Sequence, residues 1–208
     1  MSSSHYFSAE PEGELRPRRI AVRLAGLDLE VTTAGGVFSP EHLDTGTRVL
    51  LDAVPDPAPA GDLLDVGCGW GPIALSLALS SPGATVWAVD VNERALELTR
   101  RNAAELGLTN VNAVLPADVP AEVRFRTIWS NPPIRVGKAE LHALLTAWLP
   151  RLAPAGDAWL VVSRNLGADS LLRWLGEELP ALNSERVATD KGFRVIRVGP
   201  VPQQAERA

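Results

Sequence analysis

The chain has 208 residues, with 46% hydrophobic and 22% charged side chains, 20 Lys and Arg against 25 Asp and Glu, and one cysteine. That is the composition of an ordinary folded domain, which excludes a disordered chain, a collagen and a coiled coil. No apolar run approaches the roughly 20 residues of a membrane span, and one cysteine permits neither an internal disulfide nor a cysteine-cluster zinc site. The net charge of −5 leaves any nucleic-acid contact to local patches. Two exist: Arg16, Arg18, Arg19 and Arg23 near the start, and Arg135 with Lys138 further on.

Residues 1–14 are polar and lack the basic and apolar regions of a secretory leader, so a reduced, cytoplasmic protein is expected. The alternating runs IAVRLA (20–25) and LEVTT (29–33), joined by Gly26, Leu27 and Asp28, predict a β-hairpin. Gly35-Gly36-Val37-Phe38-Ser39-Pro40 must be irregular. Asp44 or Thr45 can cap a helix reaching about Ala53, and PDPAPAG (55–61) ends it. Residues 1–60 therefore read as a hairpin and cap segment, 61–200 as the main domain and 201–208 as a tail.

From residue 62 short apolar runs alternate with helical stretches. Strands are predicted at 63–66, 85–90, 111–115, 125–130 and 158–163, with helices at 72–80, 93–106, about 138–152 and 168–179. RVAT (186–189) and FRVIRV (193–198), separated by Asp190, Lys191 and Gly192, predict a closing antiparallel hairpin. Strand and helix in alternation imply right-handed crossovers and a doubly wound α/β sheet.

Two segments carry chemistry. Asp65-Val66-Gly67-Cys68-Gly69-Trp70-Gly71-Pro72 lies between a predicted strand and a predicted helix, at the edge where such sheets bind ligands. The dinucleotide fingerprint needs a third glycine where Pro72 stands, which argues against a nicotinamide enzyme. Asp90 closes the next strand, and Asp118 follows the third. Cys68 has no base beside it in sequence and reads as packing. Ser130-Asn131-Pro132-Pro133-Ile134 follows the fourth strand; two prolines cannot extend it and enforce a rigid turn. That turn frees the Asn131 side chain and the Pro132 carbonyl to hold an amino group.

The glycine segment resembles the DxGxGxG motif of class I S-adenosylmethionine-dependent methyltransferases, and Asn-Pro-Pro resembles the signature of those acting on adenine N6, guanine N2 or glutamine N5. Together with His5-Tyr6-Phe7-Ser8, Gly36-Val37-Phe38-Ser39, Leu43-Asp44-Thr45-Gly46-Thr47 and Gly192-Phe193-Arg194-Val195-Ile196-Arg197-Val198, the pattern is similar to the methyltransferase small domain family over roughly residues 5–199. The resemblance implies a seven-stranded, mostly parallel, Rossmann-like sheet with an N-terminal hairpin extension. It also implies S-adenosyl-L-methionine held by Phe38, Thr47, Asp65, Gly67, Gly69, Gly71, Asp90, Val91, Asp118 and Asn131. Asn131 and Pro132 would be catalytic, with Pro133, Ile134, Arg135 and Lys138 on the substrate.

Family members include bacterial enzymes that methylate guanine N2 in ribosomal RNA, so ribosomal RNA or a ribosomal subunit is the expected partner, with no metal and no membrane. The sequence departs from the pattern at Ile134, where the ring that stacks on the target usually stands, at Arg135-Val136 in place of Phe-His, and at Thr127 in place of Asp. It carries no second, degenerate copy of the domain. A protein-glutamine or small-molecule N-methyltransferase using the same Asn-Pro-Pro chemistry is the alternative; a domain that binds cofactor without turnover is disfavoured by the intact Asn131.

Overall fold

The computed structural model describes residues 16–133 and 137–200. Two antiparallel strands, β1 (Pro17–Leu24) and β2 (Leu27–Ala34), form a separate hairpin sheet. Its turn is tighter than the sequence predicts. Ala25 and Gly26 both take positive φ, 48° and 78°, which matches the twist of a two-residue hairpin turn and leaves Leu27 and Asp28 in the strand.

The remaining strands are β3 (Ala60–Val66), β4 (Gly83–Val89), β5 (Val111–Val114), β6 (Phe125–Ser130), β7 (Leu152–Ser163), β8 (Leu182–Asp190) and β9 (Phe193–Pro200). They form one seven-stranded sheet in the order β5-β4-β3-β6-β7-β9-β8. All pairings from β5 to β7 are parallel, and β9 runs antiparallel to both of its neighbours. The expected closing hairpin is present, with Lys191 and Gly192 at positive φ in its turn and Asp190 in the strand. Its last strand, however, inserts between β7 and β8 and leaves β8 at the edge. Val195, Ile196 and Val198 of β9 are buried, whereas β8 has no buried residue, so the more apolar strand takes the interior place.

The helices are α1 (Thr45–Ala53), α2 (Pro72–Ser80), α3 (Glu93–Glu105), α4 (Lys138–Trp148) and α5 (Ala168–Glu178). Helix α4 stops short of the predicted 152 because Pro150 has no N–H for the helical ladder, and residues 149–151 tighten into a 3-10 turn. Asp44 caps α1 and Asn92 caps α3 through their side chains. Two cores flank the sheet: α1 and α2 pack on Trp129, Trp159 and Val161, and α4 and α5 on Phe125, Ile128 and Ile196. A third core joins the hairpin to α2 and α3, with Val22, Leu24 and Val31 against Trp70, Leu75 and Leu98. Buried Asn102 secures it, exchanging hydrogen bonds with the Thr32 backbone and donating to the Trp70 carbonyl.

Candidate active site

The chain after β3 leads into α2 on one face of the sheet, and the chain after β6 leads into α4 on the other. The carboxyl ends of these adjacent strands, where connections diverge to opposite faces, form the crevice in which open α/β sheets bind ligands. The two sequence motifs meet there. Ser130 donates from its hydroxyl to the Val66 carbonyl at 2.7 Å, and a Cβ placed on Gly67 would lie 3.7 Å from the Pro133 ring.

The glycine turn folds as it does because Gly67, Gly69 and Gly71 all hold positive φ, at 79°, 57° and 97°. Gly71 has a second constraint, since a Cβ there would come 3.0 Å from the Thr99 hydroxyl. Amides of the turn are tied to the neighbouring strand: Gly67 and Cys68 donate to the Val89 carbonyl. Asp65 lies beneath the turn, fully buried, and one carboxylate oxygen accepts the Ala74 N–H in the first turn of α2 at 2.9 Å. Its other oxygen has no partner among the described residues. Burial pushes the Asp65 carboxyl well above the usual carboxylate range, with the Asp90 charge adding to it.

Asp90 stands at the end of β4. Its Oδ2 accepts from the Gly69 N–H at 3.0 Å and its Oδ1 from the Asn92 N–H at 3.0 Å. Burial raises its pKa as well, and these backbone donors hold the rise back. Beside it Val91 is 47% exposed, and Phe38, in the loop before α1, is 44% exposed. The 35–39 loop carrying Phe38 is fastened by three bonds. Asn92 Nδ2 donates to the Gly36 carbonyl, Arg94 to the Gly35 carbonyl, and Trp70 Nε1 to the Ser39 carbonyl. Asp118 is exposed in the turn after β5, next to β4 in the sheet.

Phe38, Thr47, Gly67, Gly69 and Asn131 line one cleft, with Asp44. At its floor the Asn131 amide donates from Nδ2 to Asp44 Oδ2 at 2.8 Å and to Thr47 Oγ1 at 3.0 Å. A carboxylate only accepts, so the NH₂ side of the amide must face Asp44. Both N–H donors are thereby occupied. The carbonyl Oδ1 is left as the hydrogen-bonding atom that Asn131 can offer a ligand. Pro132 is buried and Pro133 half-buried; Lys138 is exposed at the start of α4, while Ile134 and Arg135 lie outside the described residues.

The sequence offers Asp44 or Thr45 as the cap of α1 and gives no signal for Asn92. The cap geometry is correct, but the same carboxylate oxygen also reaches Asn131, 87 residues away, a contact with no local signal. Cys68 is buried, its thiol pushed up by burial first and then by the Asp90 and Asp65 charges, which is the environment of an inert thiol. Three arginines of the first patch are ion-paired: Arg18 with Glu41, Arg19 with Glu30 and Glu105, and Arg23 with Asp28.

A carboxylate at the end of the second parallel strand, a glycine turn and an Asn-Pro-Pro loop at the divergence of a seven-stranded sheet define a class I methyltransferase. The methyltransferase small domain family matches residues 28–197, and the chain belongs to that family. It is 37% identical over 198 residues to YbxB, an uncharacterized protein of Bacillus subtilis, covering 94% of this chain and 98% of that one. It is 34% identical over 174 residues to ribosomal RNA small subunit methyltransferase C of Aeromonas hydrophila, covering 81% of this chain and 48% of that enzyme. This chain thus spans about half the length of that ribosomal RNA methyltransferase. The fold is also that of a T. thermophilus 16S ribosomal RNA N2 methyltransferase solved with AdoMet and guanosine. That match has a TM-score of 0.78 at 24% identity, over 93% of this chain and 53% of that one.

The protein is an S-adenosylmethionine-dependent methyltransferase. The residues present suit that cosubstrate. It carries a ribose diol and a cation, and the site offers the buried Asp65 carboxylate, the half-buried Asp90 carboxylate and the exposed apolar surfaces of Phe38 and Val91.

Proposed function

We propose that this chain methylates an exocyclic amino group, the N2 amine of a guanine in ribosomal RNA, in the cytoplasm. The observation that carries the reading is the state of the Asn131 amide: both N–H groups are bound to Asp44 and Thr47, so the cleft presents a fixed acceptor. An acceptor at that place suits a target that brings N–H donors. S-adenosylmethionine, when bound, supplies an electrophilic methyl group on a sulfonium, whose carbon–sulfur bond breaks as the nitrogen–carbon bond forms; the methylated amine then sheds one N–H proton to solvent.

The chain's own residues prepare the other reactant. The lone pair of an aromatic amine is delocalised into its ring and attacks poorly. Asn131 Oδ1 takes one of its hydrogens and the Pro132 carbonyl the second, which favours the pyramidal nitrogen whose lone pair can attack. The gain comes from orientation and placed dipoles, with no covalent enzyme intermediate. Asp90 accepts from the backbone N–H groups of Gly69 and Asn92, with Val91 N–H also facing it, and these donors hold its carboxylate at the end of β4 for the ribose hydroxyls. Val91 and Phe38 supply apolar surface for the adenine and for the reacting centre, Asp118 accepts from the adenine amine, and Asp65 holds α2 and the turn in register. Pro133 and Lys138 are assigned to the acceptor, as the family pattern assigns Ile134 and Arg135, which lie outside the described residues.

A second reading, methylation of a protein glutamine or a small amine, is favoured by the ion-paired hairpin arginines and the net charge of −5. Incubation with radiolabelled S-adenosylmethionine and ribosomal RNA from cells lacking the protein, followed by nucleoside analysis, separates the two. Label in N2-methylguanosine supports the first reading. Label only in protein or metabolite fractions supports the second.

A further inference from the structure

We infer that Asp44 is a positioning residue for the methyl acceptor, acting through Asn131. The inference rests on the proposed role of Asn131 and extends it to a residue outside the Asn-Pro-Pro turn. An asparagine amide can be occupied either way round, and with its donors outward it would offer N–H groups to a substrate that also brings N–H groups. Asp44 removes that ambiguity. Its Oδ2 lies 2.8 Å from Asn131 Nδ2 and can only accept, so the orientation with Oδ1 facing that oxygen sets two acceptors against each other. Thr47 takes the other N–H at 3.0 Å.

The carboxylate is itself placed. The same Oδ2 accepts the Thr47 N–H at 3.1 Å as the N-cap of α1, so the cap and the Asn131 contact share one oxygen. Gly46 lets this happen: a Cβ there would lie 3.0 Å from Asp44 Oδ2 and 2.9 Å from the Phe193 ring. Helix α1 is thereby seated on β9, and through Asp44 its first turn sets the acceptor geometry of the loop after β6.

The test exploits capping chemistry. Asp, Asn and Ser are nearly equivalent N-caps, so a role confined to α1 predicts the same behaviour for wild type, Asp44→Asn and Asp44→Ser. A positioning role predicts a graded series. The amide oxygen of Asn can take both N–H groups, although no charge compels it, whereas the shorter Ser hydroxyl keeps the cap and falls short of Asn131.

The first measurement needs no methyl acceptor. In protein labelled with ¹⁵N asparagine, the Asn131 side-chain resonance is identified by its loss in Asn131→Ala. Its Nδ2 protons should exchange with water about tenfold or more faster in Asp44→Ser than in wild type, as for a lost hydrogen bond to a charged group. Asp44→Asn should lie between. The second measurement is turnover on the acceptor found above. It should fall by roughly 10-fold to 10²-fold in Asp44→Ser, as for a misplaced reacting group, with S-adenosylmethionine affinity and thermal midpoint near wild type. Unchanged amide exchange, or equal turnover in all three proteins, overturns the inference. Full turnover in Asn131→Ala would instead overturn the reading on which it rests.

Discussion

The Asp90 carboxylate accepts the Gly69 N–H at 3.0 Å, joining the end of β4 to the middle of the glycine turn. The two features that the sequence presents as separate signals are one hydrogen-bonded unit. On the proposed role of Asp90, removing the carboxylate therefore loses the ribose contact and the support of the turn together. Asp90→Ala should weaken S-adenosylmethionine binding by about 2 kcal/mol or more, as for hydrogen bonds to a charged group. Calorimetry giving wild-type affinity in that variant would remove Asp90 from the site.

The turn itself should be intolerant of side chains at its last glycine. Gly71 combines a φ of 97° with the Thr99 hydroxyl 3.0 Å from the position of a Cβ. Gly71→Ala should cost about 1–3 kcal/mol of stability, as for residues held in sparsely populated backbone regions. Urea unfolding showing no change would mean that the turn relaxes freely.

Burial of Asp65 raises its folded pKa, which sets the sign of a pH effect. Between the unfolded value of about 4 and the raised folded value, the native state binds more protons than the unfolded chain. Stability is then fully present below the unfolded pKa and is lost as pH rises through the folded one. Asp90 contributes in the same direction. Asp65→Asn should flatten the decline in stability above about pH 4. A denaturation series showing the same slope for wild type and variant would contradict the assignment of that slope to Asp65.

If RNA is the acceptor, its phosphates must find cations outside the hairpin. Arg18, Arg19 and Arg23 are matched by acids, whereas Lys138 and Arg164 are exposed and have no ion-pair partner among the described residues. Lys138 opens α4 directly after the Asn-Pro-Pro segment, and the Arg164 backbone N–H bonds to the Gly192 carbonyl at the same end of the sheet. Neutralising Lys138 and Arg164 together should lower the salt dependence of RNA binding by about one unit of slope per lost contact, and neutralising Arg18 and Arg23 should leave it unchanged. The opposite pattern would place the RNA on the hairpin.

The elements that carry the candidate cofactor residues are legible in the sequence because their causes are local. The three glycines need a tight turn, Asp90 closes an apolar strand, and the helix after Pro72 begins and ends where the sequence places it, at Pro72 and Ser80. What escaped the sequence is non-local. The insertion of β9 between β7 and β8 depends on which of two adjacent strands is the better buried, a tertiary outcome that the predicted hairpin alone leaves open. The Asp44–Asn131 contact was hidden behind a sufficient local explanation, the cap of α1. Positive φ at Ala25, without a glycine to announce it, displaced the predicted hairpin turn by one residue.

The central claim is that Asn131, which the family resemblance places with both the cofactor and the acceptor, acts chiefly on the methyl acceptor. Its most direct test is a paired measurement on Asn131→Ala: S-adenosylmethionine affinity by calorimetry and turnover on the methylated substrate. The account predicts nearly normal affinity with turnover reduced on the order of 10² or more, as for loss of an oriented polar group. Near-normal turnover in a folded Asn131→Ala protein would contradict it.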